Sequence, residues 1–240
     1  MNTGQKVALG SVAVAVVAVG IELAYLHHER NEDAKPKVVE TAPIDPDYNV
    51  FLKKERPDKL EDEKALKGRT LWISTGGQLD YYPYKAGKVD YAKTSGTLLG
   101  AEPIVAQDAV EAVAPKTATF RIPAGDKQVL LVFTKPGSTD EYAVPVGNRE
   151  KGVYTFQSDL IFFYDDPHKL YSFWGPEVWK AIDEHKAILG MTEHEVQMAL
   201  GQVATSGGQE EGNRTVEYNN LGHPIRVTFV KNKATSIEPE

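Results

Sequence analysis

Residues 69–85, RTLWISTGGQLDYYPYK, have the pattern of a β-hairpin. The runs RTLWIS (69–74) and QLDYYPYK (78–85) are rich in aromatic and branched residues that favour strands. Thr75-Gly76-Gly77, which lies between them, suits a turn. This hairpin predicts that the centre of the chain is built from antiparallel strands.

Further strand-like runs follow the hairpin, separated by breaks that contain the proline and glycine residues typical of turns. They are AVEAVAP (109–115), TATFRI (117–122), QVLLVFT (128–134), EYAVPV (141–146), VYTFQ (153–157) and DLIFFY (159–164). Short strands at this spacing predict a small antiparallel β-barrel or sandwich over residues 66–165. In number and length the strands resemble those of SH3-like barrels.

The pattern becomes helical nearer the C-terminus. Pro176 suits the first turn of a helix that carries EVWKAIDEHKAIL (177–189), and Gly190 ends that helix. Thr192 caps a second helix, in which Glu195 stands at the third position and completes a capping box.

Three extended stretches follow these helices: TVEYNN (215–220), PIRVTFVK (224–231) and ATSIE (234–238). The helices and strands together predict a compact α-α-β-β(-β) unit over residues 170–240. The chain as a whole is therefore expected to be an α+β protein.

One part of this unit has a recognisable pattern. Its residues are Gly190-Met191-Thr192-Glu193-His194-Glu195-Val196, Ala199-Leu200-Gly201, Val216-Glu217-Tyr218, Val227-Thr228-Phe229 and Lys233-Ala234-Thr235. The pattern resembles the repeat of the SmpA/OmlA-type outer-membrane assembly lipoproteins, over about residues 176–238. Gln202 and Val203 stand where that family usually has a proline. The resemblance implies an extracytoplasmic module that docks onto other envelope proteins.

The N-terminus has the composition of a targeting segment. Residues 7–21, VALGSVAVAVVAVGI, contain neither charge nor proline, and an apolar run continues beyond Glu22 to the end of 7–26. A spanning helix needs about 20 apolar residues, and the core of a signal peptide needs fewer. We expect residues 7–26 to anchor the chain in a membrane. The alternative is a signal cleaved after Gly20, which would leave a secreted protein.

The default orientation of a short N-terminal tail places residues 27–240 outside the cytoplasm, in a periplasm or at the cell exterior. Residues 27–65 are rich in charge and proline, which predicts a semi-extended stalk. Within it, DKLEDEKALK (58–67) has the pattern of a short helix that Asp58 can cap and Gly68 can end.

Composition excludes several functions. The 240-residue chain has a formal charge of -7, no basic run and no cysteine. Nucleic-acid binding is therefore not expected, and neither are disulfides, thiolate metal sites nor cysteine nucleophiles. The sequence also has no G-x-S-x-G elbow, S-x-x-K pair or phosphate-binding glycine motif. We expect no cofactor, no metal and no enzymatic activity, and interpret the chain as a binding or assembly component of a cell envelope.

Asp165-Asp166-Pro167-His168 is the segment whose residue types come nearest to a catalytic site. Two carboxylates and an imidazole can bind a metal, so the alternative function is that of a metal-dependent hydrolase. The simpler interpretation is a turn in which Pro167 sets the backbone and an aspartate caps it.

Four tyrosines near the first hairpin form a candidate binding surface: Tyr81, Tyr82, Tyr84 and Tyr91. Aromatic side chains on a strand can bind sugars or peptides, so a glycan or cell-wall binder is a second alternative. The simpler interpretation is cross-strand packing. Tyr81 and Tyr82 must point to opposite faces of their strand. A second aromatic group, Tyr171, Phe173, Trp174 and Trp179, is expected to join the β-domain to the helical unit.

Overall fold

The computed structural model describes residues 20–28, 30, 46–74, 79–113, 115, 127–206 and 210–239. The chain divides into two compact units, Met1–Asp45 and Pro46–Glu240. In the first unit, residues 20–28 form a helix, α1, with exposed side chains. The rest of the predicted anchor lies outside the described residues. Among those that are described, no helix is both long and apolar enough to cross a membrane.

The second unit is α+β and contains two antiparallel sheets. The larger sheet has nine strands: β1 Thr70–Ile73, β2 Leu79–Lys85, β3 Lys88–Val89, β4 Gly96–Leu98, β5 Pro103–Val113, β6 Lys127–Thr134, β7 Glu141–Glu150, β8 Val153–Phe156 and β9 Phe162–Phe163. They lie in the order β3-β2-β7-β6-β5-β1-β9, with β4 also paired to β2 and β8 also paired to β7.

This sheet is antiparallel, as predicted, but it is open among the described strands, so the barrel alternative of the barrel-or-sandwich prediction is wrong. Closure requires the last strand to pair with the first free edge. The predicted strand at 159–164 begins instead as a helix, α3 Ser158–Ile161. Only the two residues of β9 remain extended, and they pair with β1. The predicted run at 117–122 lies outside the described residues.

A hydrophobic core packs against one face of the larger sheet. Val129, Leu131 and Phe133 of β6 alternate into it, and Leu71 and Ile73 of β1 do the same. Leu130 and Val132, which β6 directs to the other face, are fully buried as well. Since burying such a side chain contributes roughly 1.5–3 kcal/mol, burial on both faces of β6 stabilises the sheet.

The smaller sheet packs with two helices. Its elements are α5 Pro176–Asp183, α6 Glu193–Leu200, β10 Val203–Ser206, β11 Thr215–Tyr218, β12 Ile225–Val230 and β13 Lys233–Pro239. The strands lie in the order β10-β11-β12-β13. The sequence had predicted neither β10 nor the short strands β3 and β4.

The two helices differ in how well their predicted ends agree with the structure. The capping box of α6 is confirmed, because the Glu195 N–H donates to the Thr192 hydroxyl and the Thr192 N–H donates to the Glu195 carboxylate. Helix α5 ends at Asp183, six residues before the predicted end at Leu189. His185 has a φ of 53° and turns the chain out of the helix.

Residues 46–65 of the predicted stalk belong to the second unit. The indole N–H of Trp174 donates to Asp47, whose other oxygen lies 2.8 Å from His194 Nδ1. Further along, the Asp159 carboxylate accepts hydrogen bonds from the backbone N–H groups of Glu55 and Arg56. We call residues 46–58 the strap. Helix α2, Leu60–Lys64, follows it and begins after Lys59, not at the predicted cap Asp58.

The turn after β4 and helix α6 approach closely at Gly100. A Cβ added at Gly100 would lie 2.2 Å from the backbone oxygen of Met198.

We expect Gly100→Ala to lower the free energy of unfolding by about 1–3 kcal/mol, because two backbones would have to separate. Chemical denaturation measures this. Gly20→Ala is the control, because its Cβ would meet open space and its backbone is not in the left-handed region. Equal losses for both variants would contradict the close contact.

Glu63 of α2 is a buried acid. The Ser158 hydroxyl donates to its Oε1, while its Oε2 has no hydrogen-bond partner among the described residues. Burial raises the pKa of Glu63 to about 7; the bond from Ser158 opposes this rise, and the charges of Asp159 and Asp62 add to it.

This acid predicts a pH dependence of stability. Because the folded-state pKa lies above the ordinary value of 4.5, the stability present below about pH 4.5 is lost as the pH rises through 7. Glu63→Gln should remove this loss and stabilise the protein at pH 8 by up to about 3 kcal/mol. Thermal unfolding between pH 4 and pH 8 tests it. An unchanged pH slope in the variant would show that Glu63 does not titrate in this range.

Candidate functional site

A cleft of about 420 Å³ opens beside Trp72 in the second unit. The residues that line it come from β1 and from the turn and short helix after β9. They are Arg69, Thr70, Trp72, Tyr164, Asp165, Asp166, Lys169 and Leu170. The cleft therefore contains the two aspartates that the sequence had singled out.

The alternation of β1 places one wall of the cleft. Leu71 and Ile73 enter the core of the larger sheet, so Thr70 and Trp72 lie on its opposite face. The other wall is α4, Pro167–Leu170. Asp166 caps this helix by accepting a hydrogen bond from the His168 N–H. The interpretation of this segment as a capped turn is thus confirmed.

His168 is held between two carboxylates. Its Nδ1 lies 3.1 Å from Asp166 Oδ1, and its Nε2 lies 3.0 Å from Asp183 Oδ1. The ring also stacks on Trp179, with 4.1 Å between ring centroids. Since both nitrogens face carboxylate oxygens, neither is turned toward a metal beside Asp165.

The wider structure agrees with this geometry. The described residues contain no cluster of three or more histidine, aspartate or glutamate side chains that is arranged to hold a metal. Asp165 and Asp166 are adjacent, but both ring nitrogens of the third predicted ligand, His168, face carboxylates, those of Asp166 and Asp183. The segment thus gives the cleft its shape and part of its charge.

The rim of the cleft carries charges of both signs. Arg69 pairs with Glu55 of the strap at 2.7 Å, and its guanidinium lies 5.4 Å from the centre of the Tyr164 ring. Hydrogen bonds from Lys53 and Arg69 hold the pKa of Glu55 below its usual range. Lys169 and Asp165 are exposed. An aromatic and aliphatic wall with polar groups at its edge suits the binding of a partner side chain.

The structure divides the four tyrosines of the candidate surface between two faces of the sheet. Tyr81 is 7% exposed and packs edge-on against Phe133 and Tyr142 in the core. Its inclusion in a binding surface is therefore wrong, because a strand directs successive side chains to opposite faces.

Tyr82 and Tyr91 lie together on the other face, with 5.1 Å between ring centroids. The Tyr91 hydroxyl donates to Gln128, and Tyr84 shares the face of Tyr82 because the two alternate along β2. All three are half-buried. Burial raises the pKa of each hydroxyl, so each stays protonated at neutral pH.

Of the four aromatic residues expected to join the β-domain to the helical unit, Tyr171, Trp174 and Trp179 are buried together, whereas Phe173 is 47% exposed. Tyr171 stacks on Trp174 at 4.4 Å, and Trp174 lies 5.3 Å from Trp179. Phe163 belongs to the same buried cluster, and Trp72 packs against it. We call these five residues, without Phe173, the junction cluster. It places the Trp72 cleft at the edge of the contact between the sheets.

Two functional groups at this junction were missed from the sequence. Burial opposes ionisation of Asp47, but hydrogen bonds from His194 and Trp174 outweigh it and hold the pKa of Asp47 below its usual range. Asp183 was likewise not singled out, although it holds His168. Neither aspartate lies in a sequence motif, and the partners of both are distant in the sequence.

Comparison with known proteins finds no matching family model, no matching curated protein and no matching solved structure. The class of protein must therefore be inferred from the residues and their geometry.

Proposed function

We propose that the chain is a membrane-tethered, non-enzymatic binding or assembly component of a cell envelope. In this proposal residues 7–26 hold it in the membrane, and residues 27–240 lie outside the cytoplasm. The observation that carries the binding role is the Trp72 cleft, which combines an apolar wall with a charged rim on which Arg69 is paired with Glu55.

The paired charges favour binding over chemistry. Arg69 is engaged by Glu55, and His168 is engaged by Asp166 and Asp183. A general acid or base needs a proton-carrying group directed at a substrate. Here the pair of Arg69 with Glu55 holds the strap at the rim of the cleft, and the pairs of His168 hold α4 in its wall. The surface is therefore preformed, so that little conformational entropy is lost when a partner binds.

We also propose that residues 176–238 are an SmpA/OmlA-like unit. Two helices followed by antiparallel strands support this, as does the confirmed cap at Thr192. Gly190 donates to the Ala234 carbonyl and Ala234 donates to the Met191 carbonyl, so the motif between the helices is tied to β13. In the family that this unit resembles, docking onto another envelope protein is the expected role.

Site-specific photo-crosslinking in the native cells tests the proposed function. A photoreactive residue in place of Thr70, which is exposed and lines the cleft, should capture one envelope protein. The same residue at the exposed Thr155 of β8 is the matched control and should not capture it. Lys169→Glu, a rim change that leaves the core intact, should lower the yield of the Thr70 adduct severalfold. Identical adducts from both positions, or none from either, would contradict a binding role for the cleft.

The second candidate is a glycan or cell-wall binder that uses Tyr82, Tyr84 and Tyr91. The observation that favours it is their shared, half-exposed face, where the Tyr82 and Tyr84 hydroxyls stay neutral and able to donate. In sedimentation with isolated cell wall, Tyr84→Ala should reduce the bound fraction severalfold. Phe173→Ala, which removes an exposed aromatic ring elsewhere, should not. Equal binding by both variants would count against this platform.

A further inference from the structure

The strap exposes apolar side chains that the fold does not use. Phe51 is 91% exposed and Leu52 is 38% exposed, whereas their neighbour Val50 packs against the buried core that contains Trp174 and Trp179. Burying a phenylalanine side chain is worth roughly 1.5–3 kcal/mol, and the second unit gains little of this from Phe51. Exposed apolar side chains that adjoin one another mark an interaction surface.

This part of the strap is held in place. The carboxylate of Asp159 accepts hydrogen bonds from the N–H groups of Glu55 at 2.9 Å and Arg56 at 3.0 Å. The Lys54 ammonium donates to the backbone carbonyl of Asp159. Leu160, which follows Asp159 in α3, is itself 72% exposed. These hydrogen bonds bring the strap segment that carries Phe51 and Leu52 to the start of α3, which carries Leu160.

Cations outnumber acids around these side chains, in contrast to the rest of the chain. Lys53, Lys54 and Arg56 follow Phe51 and Leu52, and two acids lie among them: Glu55, which pairs with Lys53 at 2.9 Å, and Asp159. Three cations against two acids leave these residues with a net positive charge, whereas the chain as a whole carries -7. Exposed aromatic and aliphatic side chains flanked by lysine and arginine suit the interface of an anionic bilayer.

We propose that Phe51, Leu52 and Leu160, with the cations of residues 53–56, form a contact patch for an anionic phospholipid surface. The apolar side chains enter the boundary between headgroups and acyl chains, and the ammonium and guanidinium groups contact lipid phosphates. The proposal deepens the tether proposed above, because the contact would fix how the second unit lies on the membrane. It does not require that residues 7–26 span the bilayer.

The absence of cysteine from the sequence allows a specific test. Phe51→Cys in the full chain, labelled with the environment-sensitive fluorophore NBD, places an aromatic probe where the phenyl ring was. The labelled protein is mixed with vesicles of phosphatidylcholine alone, or of phosphatidylcholine with phosphatidylglycerol. Val153→Cys, labelled in the same way, is the control, because Val153 is 68% exposed on β8, outside the patch.

We expect the NBD emission at position 51 to shift to the blue, and lipid-borne quenchers to reduce it severalfold more with phosphatidylglycerol than without. High salt, or Lys53→Glu combined with Arg56→Glu, should reverse most of the effect. Position 153 should show neither change. Equal signals at both positions, or no dependence on anionic lipid, would overturn the patch.

Vesicle flotation in the same samples separates the patch from the tether. Flotation with both lipids, and a signal at position 51 only with phosphatidylglycerol, supports both proposals. Flotation only with phosphatidylglycerol supports the patch and contradicts insertion of residues 7–26. Flotation with both lipids but no signal at position 51 supports the tether and overturns the patch. No flotation with either lipid overturns both.

Discussion

The contact between the two sheets is the interaction on which the rest of the second unit depends. At Gly100 the turn after β4 comes so close to Met198 of α6 that only glycine fits. The stacked rings of the junction cluster add to this contact. Tyr171 and Trp174 belong to the short segments between β9 and α5, so this packing positions α4 as well. Since α4 and β1 form the two walls of the cleft, the candidate binding site exists only while the sheets remain in contact.

Several charged groups in this protein hold backbone segments in place. Asp47 and Asp159 hold the strap at its two ends, and Glu55 links the strap to the cleft through Arg69. His168 of the short helix α4 is held by Asp166 and Asp183. The shape of the cleft rim therefore depends on hydrogen bonds between residues that are distant in the sequence.

The sequence predicted those features that depend on local chemistry. The capping box at Thr192 and most strands of both sheets follow from side chains a few positions apart. The end of α5 was missed because His185 takes the left-handed position that glycine usually occupies: its N–H donates to Ile182 and that of Lys186 to Ala181. The pairing of Asp47 with Trp174 spans 127 positions and leaves no local pattern. The cleft could be predicted only through Asp165 and Asp166, because its other wall depends on how the sheets pack.

Equilibrium unfolding followed by two signals tests the central claim, that the two sheets and the strap form one body. All three tryptophans, Trp72, Trp174 and Trp179, pack at the junction, so their fluorescence reports on the contact between the sheets. Far-ultraviolet circular dichroism reports on the strands and helices themselves. If the account is correct, the two signals change in a single coincident transition. A loss of the tryptophan signal well before the loss of secondary structure would show that the sheets are independent and that the cleft is not a fixed site.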